Sequence, residues 1–175
     1  MCNNFIKSSV KGKNAEERAI QYFHEKNVEF EDVREIKYFQ NIDVDFVTKE
    51  YGKIETKLNL HDALKGKQGK FFWVETAINY SQSKAWFFVS EADYYFFIQE
   101  NSNVCIMIKN DFNFQDYVNK AIAIGDHSFY GNFRYDQKLD NRSYGVVVAT
   151  CMRIYLDDLK DSGVQYHLFR LPKTI

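Results

Sequence analysis

Residues 41–58 read NIDVDFVTKEYGKIETKL, two alternating runs of polar and apolar residues separated by a short polar break. The break ends at Gly52, and a glycine in this place is typical of a β-hairpin turn. We therefore predict one strand over residues 42–47 and a second over residues 53–58. The even positions of both strands form the predicted apolar face, which comprises Val44, Phe46, Ile54, Thr56 and Leu58.

The opposite face of the predicted hairpin carries charge. Asp43, Asp45, Glu55 and Lys57 all occupy odd positions, so they share one side of the strands. Hard divalent cations such as Mg²⁺ prefer oxygen ligands, which Asp45 and Glu55 would supply. Lys57 would assist a water molecule while the metal stabilises the charge that builds on phosphorus. The face therefore indicates phosphodiester hydrolysis.

The pairing register decides whether these side chains meet. A loop of odd length, for instance one of residues 50–52, pairs Lys49 with Lys53. Asp45 then lies opposite Lys57, with Glu55 on the diagonal; such neighbours are about 5 Å and about 7–8 Å apart on a sheet. A loop of even length would put Asp45 and Glu55 on opposite faces, so the parity of the loop is the critical prediction.

The arrangement resembles the PD-(D/E)XK nuclease superfamily, whose signature is an acid, a short gap and (D/E)-x-K on the next strand. Here nine residues separate Asp45 from the triplet at 55–57. The chain contains four such triplets, and only this one has an acid one hairpin upstream on the matching face. The superfamily's proline is absent, because Asn41 and Ile42 precede the acidic pair. A phage-type branch is indicated by the stretches at 41–47, 54–57, 69–75 and 92–97.

The resemblance covers about residues 14–98 and implies an α/β (α+β) fold with a restriction-endonuclease-like core, a central mixed β-sheet flanked by helices. It implies a metal-dependent DNA endonuclease that uses Mg²⁺ or Mn²⁺, with Asp45, Glu55 and Lys57 as catalytic residues. We expect one nuclease-like domain over 1–175, in which the C-terminal part completes the sheet and its helices.

Three other interpretations are compatible with the sequence. One is a non-catalytic nucleic-acid-binding or assembly protein that keeps the nuclease-like fold. Another is a small interaction domain with no nucleic-acid role. In the third, the hairpin is a solvent-facing strand pair whose Asp, Glu and Lys residues form only cross-strand salt bridges.

Two acids near the hairpin site are auxiliary candidates. The superfamily often adds an acid from the first helix, and Glu17 or its neighbour Glu16 fits that place. Glu17 is equally well placed to close a capping box with Asn14 at the start of a helix over 14–26. Asp43 is either a second metal ligand or a solvated neighbour of the catalytic acid.

A third auxiliary acid and three lysines lie further along the chain. Glu75 is in an apolar, aromatic strand, where an ionised carboxylate needs a metal, a lysine or exposure at the strand end. Lys65, Lys67 and Lys70 are in a glycine-punctuated stretch that either binds phosphates beside the metal or is a solvated loop.

Composition restricts the class of protein. The chain has 175 residues, 45% of them hydrophobic and 27% charged, as in an ordinary globular domain. Its net charge of −1 excludes a basic protein that coats nucleic acid, so any contact with DNA is local. DNA is the expected partner, a homodimer is allowed and a membrane is not expected.

Cysteine and histidine give no sign of zinc or of disulfides. The three cysteines form no CxxC pair and the four histidines show no metal-ligand spacing, which favours reduced thiols in the cytosol. The start of the chain lacks the apolar core of a signal peptide, and no apolar run reaches about 18 residues. We expect a soluble, cytoplasmic protein.

The rest of the chain alternates between helical and extended patterns. Aromatic residues make up 17% of it, and Trp73, Trp86 and the rings at 94–97 are either core or a platform for stacked bases. Further predicted elements are strands at 71–76, 92–99, 104–108, 144–155 and 164–169, a helix at 111–124 and a helical turn at 157–161.

Overall fold

A computed structural model describes residues 3–59, 71–78, 86–99, 104–124, 135–142 and 145–171. Its helices are α1 (Asn3–Lys26), α2 (Lys37–Asn41), α3 (Trp86–Val89), α4 (Phe112–Ile124) and α5 (Leu156–Leu159). Its strands are β1 (Phe30–Asp32), β2 (Phe46–Thr48), β3 (Gly52–Asn59), β4 (Phe71–Ile78), β5 (Tyr94–Gln99), β6 (Val104–Lys109), β7 (Tyr135–Arg142), β8 (Gly145–Tyr155) and β9 (Tyr166–Arg170).

The strands form two sheets. Six of them lie in the order β1-β2-β3-β5-β6-β9, with β3 and β5 parallel and the other neighbours antiparallel. The remaining three form an antiparallel sheet in the order β4-β8-β7. The predicted α/β fold with a mixed sheet flanked by helices is confirmed, whereas the restriction-endonuclease-like core remains a prediction.

One face of the six-stranded sheet is covered by α1. Ala15, Ala19, Tyr22 and Phe23 recur at helical spacing and are buried, so they form the apolar stripe of this helix. They pack against side chains from the sheet, among which Phe46, Ile54, Phe96 and Ile98 are fully buried. The even positions of β3 and β5 therefore face α1.

The odd positions of β5 face the other way. Tyr95 and Phe97 are buried against a second core that includes Phe72 of β4, Phe87 of α3 and Phe114 of α4. Aromatic side chains therefore lie in the cores on both faces of the six-stranded sheet, because successive residues of a strand point to opposite faces. Tyr95, Phe96 and Phe97 are core residues, as one of the two interpretations expected.

The first helix begins earlier than predicted. It runs from Asn3, so Asn14 lies in its interior and is not an N-cap, and the capping box with Glu17 is wrong. The sequence upstream of Asn14 contains no proline, so the helical hydrogen-bond ladder continues through it.

The other predicted helices and strands are present, although their first and last residues differ from the predicted ones. The strands β4, β5, β6, β8 and β9 and the helices α4 and α5 all occur, whereas β1, β7, α2 and α3 were not predicted. Among the described helices, none combines the length and the apolar character that crossing a bilayer requires.

Candidate active site

The hairpin turn is a loop of three residues. Thr48 pairs with Gly52 and Phe46 with Ile54, so the loop has odd length, as predicted, and comprises residues 49–51. The example of a loop at 50–52, which would pair Lys49 with Lys53, does not occur, because Val47 is the partner of Lys53. The register therefore keeps its parity but is displaced by two residues, and Asp45, which precedes the first paired residue Phe46, does not lie opposite Lys57.

Gly52 explains this displacement. Its φ of +70° lies in the left-handed region, and a Cβ at this position would be 2.3 Å from Asp93 Oδ2. That carboxylate accepts a hydrogen bond of 2.8 Å from the backbone N–H of Lys53. The Thr48 side chain closes the loop by accepting from the Tyr51 N–H and donating to the Gly52 carbonyl.

Strand β2 is shorter than predicted and begins at Phe46. The residues before Phe46 do not pair with β3 in the strand ladder, and Asp43 has a φ of 53°. Val44 consequently packs with the second core and not with Phe46 and Ile54, contrary to the predicted shared face. A positive φ reverses the direction of the chain, so simple alternation fails at this point.

Asp45 is held by its backbone and its side chain. Its N–H donates to the Ile54 carbonyl at 2.9 Å, and its carbonyl accepts from the Val33 N–H at 3.0 Å. Its Oδ2 accepts a 2.8 Å hydrogen bond from the backbone N–H of Thr56. The Asp45 side chain is therefore hydrogen-bonded to the residue that lies between Glu55 and Lys57 in the chain.

Glu55 and Lys57 lie on the covered side of β3. The parallel register sets them beside Tyr95 and Phe97, so they point toward the second core. Glu55 is only 4% exposed, and its Oε1 is paired with Lys57 Nζ. This polar face is thus buried by α3 and the second core, and a solvated strand pair does not describe it.

Asp43 is the second partner of Lys57. Its Oδ2 lies 2.9 Å from Lys57 Nζ, and both side chains are mostly covered. The ammonium also lies 4.9 Å from the centre of the Trp86 ring. A cation close to the face of an indole is stabilised by the ring's electron density.

Burial determines the charge behaviour of the site. It raises the pKa of Asp45 to about 6, against the opposing effect of the Thr56 N–H. It also raises the pKa of Glu55 well above its usual value, although Lys57 acts in the opposite direction. Burial alone would lower the pKa of Lys57, but Glu55 and Asp43 outweigh it and raise this pKa. Lys57 is therefore an ammonium ion.

The first helix brings Glu16, not Glu17, toward the site. Glu16 is 24% exposed, contacts Arg34 at 2.7 Å and contributes to the raised pKa of Asp45. Glu17 is 61% exposed and lies 3.6 Å from the same guanidinium. Arg34 in turn pairs with Asp32 and lies over the Phe46 ring.

The remaining candidates lie on other parts of the chain. Glu75 is in β4, where its backbone register partner is Cys151. This strand belongs to the three-stranded sheet, whereas the hairpin belongs to the six-stranded one. Lys65, Lys67 and Lys70 lie outside the described residues, so their predicted phosphate contacts stay predictions.

The chemistry of the cluster suits a hard cation. Asp43 and Glu55 are both paired with the Lys57 ammonium, and the charge of Lys57 also acts on Asp45, so three acids share one cationic side chain. Within the described ranges, no group of three or more His, Cys, Asp or Glu side chains is arranged to hold a metal ion. Asp45 and Glu55 are the carboxylates that could hold a cation here, with water and substrate as further ligands, as is common for Mg²⁺.

Several site neighbours were not found from the sequence. Ser90 donates to the Asp43 carbonyl at 3.1 Å, and Trp86 lies over Lys57. The Tyr95 side chain is fully buried, and burial raises its pKa to about 12 against the opposing effects of Ser90 and Lys57. None of these residues belongs to a local motif, so only the tertiary fold reveals them.

Comparison with known proteins adds no further assignment. No family model matches the chain, and neither the curated proteins nor the solved structures contain a match.

Proposed function

We propose that the protein is a Mg²⁺- or Mn²⁺-dependent DNA endonuclease of the PD-(D/E)XK type, with a restriction-endonuclease-like core. The proposal rests on the hydrogen bond from the Thr56 N–H to the Asp45 carboxylate. This bond holds the upstream acid next to the triplet that contains the paired Glu55 and Lys57. The same residues carry the sequence signature, and acids whose pKa is raised by burial, as in Asp45 and Glu55, are frequent at functional sites.

Asp45 and Glu55 are the residues that would hold the metal. The bound cation would supply electrostatic stabilisation of the charge that develops on the phosphate during hydrolysis. Hydrogen bonds fix the Asp45 backbone and side chain, and Glu55 on β3 is paired with Lys57, so both carboxylates would be oriented before a metal binds.

Lys57 acts as an ammonium group. It has no lone pair to accept a proton, so it orients the attacking water and stabilises negative charge on the phosphate oxygens. The water oxygen forms the new bond to phosphorus, the ester oxygen leaves, and the water's protons pass to solvent and to that leaving oxygen.

The proposed substrate is DNA in the cytoplasm. The near-neutral net charge is compatible with this because clustered carboxylates offset basic residues, and the glycine-punctuated lysine stretch would contact phosphates locally. Lys65, Lys67 and Lys70 are the proposed contacts.

Cleavage of DNA by the purified chain tests the proposal. Supercoiled plasmid, linear duplex and single-stranded DNA are incubated with Mg²⁺, Mn²⁺ or EDTA. We expect cleavage with either metal, none with EDTA, and a loss of at least 100-fold in Lys57→Met and Asp45→Asn, in line with removal of a charge-stabilising group. The control variant is Lys49→Met, which removes an exposed lysine from the same hairpin.

Two results would contradict the proposal. The first is metal-independent cleavage, or cleavage that survives in the site variants. The second is DNA binding without any metal-stimulated cleavage, which would favour the non-catalytic nucleic-acid-binding or assembly protein.

A further inference from the structure

The turn that carries Asp43 is attached to a distant segment. Ser90 Oγ donates to the Asp43 carbonyl at 3.1 Å, and the Glu91 N–H donates to the Ile42 carbonyl at 2.9 Å. Ser90 Oγ also accepts from the Ala92 N–H at 3.2 Å. These bonds fix a turn whose backbone conformation is unfavourable for most residues.

The same segment carries the aromatic neighbour of Lys57. Trp86 begins the short helix α3, which leads directly into Ser90 and Glu91. Residues 86–91 therefore position both the Trp86 ring, 4.9 Å from Lys57 Nζ, and the Asp43 carboxylate, 2.9 Å from it. Lys57 lies where these two contacts meet.

Glu55 alone would not fix the ammonium in a working site. Its carboxylate is the proposed metal ligand, and a carboxylate that binds a cation interacts less with a neighbouring ammonium. Asp43 lies outside the β2–β3 ladder and is engaged by Lys57, so it can hold the ammonium independently of Glu55.

We propose that Asp43 and Trp86 form a clamp that positions Lys57, and that Asp43 is a positioning residue and not a metal ligand. This inference rests on the proposed nuclease function. It also assigns to Asp43 and Trp86 a role that the sequence signature does not contain.

Two substitutions remove the Asp43 charge without disturbing the turn. Asparagine tolerates the left-handed region and has nearly the same shape, and glycine adopts this φ freely. Asp43→Asn and Asp43→Gly should therefore fold, which thermal denaturation checks. Glu91→Gln is the control, since Glu91 is an exposed acid on the segment that holds the clamp.

Fluorescence reports the position of Lys57 without any catalysis. The chain has two tryptophans, so in a Trp73→Phe background Trp86 is the only indole. We expect Asp43→Asn and Asp43→Gly to change the Trp86 emission in the same direction as Lys57→Met does. Glu91→Gln should leave it unchanged. The clamp would be overturned by an emission that Lys57→Met leaves unchanged, or by one that responds to Lys57→Met but to neither Asp43 substitution.

Metal affinity and kinetics separate a positioning residue from a ligand. We expect Asp43→Asn to bind Mn²⁺ within about threefold of wild type by calorimetry, while kcat falls about 10–100-fold and KM changes little. A tenfold or greater loss of Mn²⁺ affinity would show that Asp43 is a ligand and overturn the proposal. If the wild-type chain cleaves nothing, the nuclease proposal fails, and the fluorescence comparison still decides whether Asp43 holds Lys57.

Discussion

The backbone N–H of Thr56 donates a hydrogen bond of 2.8 Å to Asp45 Oδ2. Because Thr56 lies between Glu55 and Lys57, this bond fixes the upstream acid relative to both charged members of the triplet. Strand β2 begins only at Phe46, so the N–H of Thr56 has no partner on β2 and donates to the Asp45 side chain instead. Asp45 therefore lies just outside the end of the β2–β3 ladder that is formed by Phe46 and Ile54.

The buried acids make the stability of the metal-free protein depend on pH. The pKa of Asp45 is raised from 3.8 to about 6 in the folded state, so the folded chain retains this proton when the unfolded chain has lost it. The resulting contribution to stability is fully present below about pH 4 and is lost as the pH rises through 6. Glu55 acts in the same direction.

Asp45→Asn isolates this contribution. The variant keeps an acceptor for the Thr56 N–H but carries no charge, so we expect it to exceed wild type in free energy of unfolding by about 1–3 kcal/mol at pH 7.5. The difference should shrink at pH 4.5. Urea denaturation in EDTA at both pH values measures it, and a difference that does not vary with pH would contradict the raised pKa.

Glycine is required at the hairpin turn. In Gly52→Ala a left-handed φ and a Cβ 2.3 Å from Asp93 Oδ2 act together, so we expect a loss of roughly 2–3 kcal/mol in the free energy of unfolding. Gly12→Ala is the matched control. It lies within α1, and apart from the adjacent helix backbone no atom is within 4 Å of the added Cβ, so helix propensity should stabilise the chain by about 0.5–1 kcal/mol.

Urea denaturation of the two alanine variants checks this expectation. Equal effects at the two glycines would mean that the turn geometry at Gly52 is not as described.

Adjacent acids on α1 should differ in their effect on cleavage. Glu16 holds Arg34 and acts on Asp45, whereas Glu17 is 61% exposed. We expect Glu16→Gln to lower the cleavage rate at least fivefold and Glu17→Gln to stay within about twofold of wild type, since exposed charges contribute little. Initial rates on plasmid DNA provide the test. A larger loss of cleavage rate in Glu17→Gln than in Glu16→Gln would identify Glu17 as the auxiliary acid.

The sequence predicts the composition of the hairpin site but not its register. Alternation of polar and apolar residues predicts that Asp45, Glu55 and Lys57 share a face, and this prediction requires only odd loop parity. Loops at 49–51 and 50–52 satisfy parity equally well. The choice between them depends on Asp93, which is 40 residues from its partner Lys53 and belongs to no local pattern.

Long-range contacts limit the prediction of the site in the same way. The partners of Lys57 depend on the attachment of Ser90 to Asp43, which are 47 residues apart. Helix α1 shows a similar limit, because a capping motif at Asn14 has meaning only if the helix begins there. Local motifs therefore predict which residues belong to an element, whereas tertiary contacts decide where it begins and what its side chains meet.

The cleavage rate of Glu55→Gln with Mg²⁺ is the most direct test of the site. The substitution keeps the size of a 4% exposed side chain and removes only its charge, so folding should be retained. We expect the initial rate on DNA to fall at least 100-fold from wild type, while Glu29→Gln, an exposed acid paired with Lys49, matches wild type. A folded Glu55→Gln protein that cleaves DNA at the wild-type rate would contradict the assignment of this site.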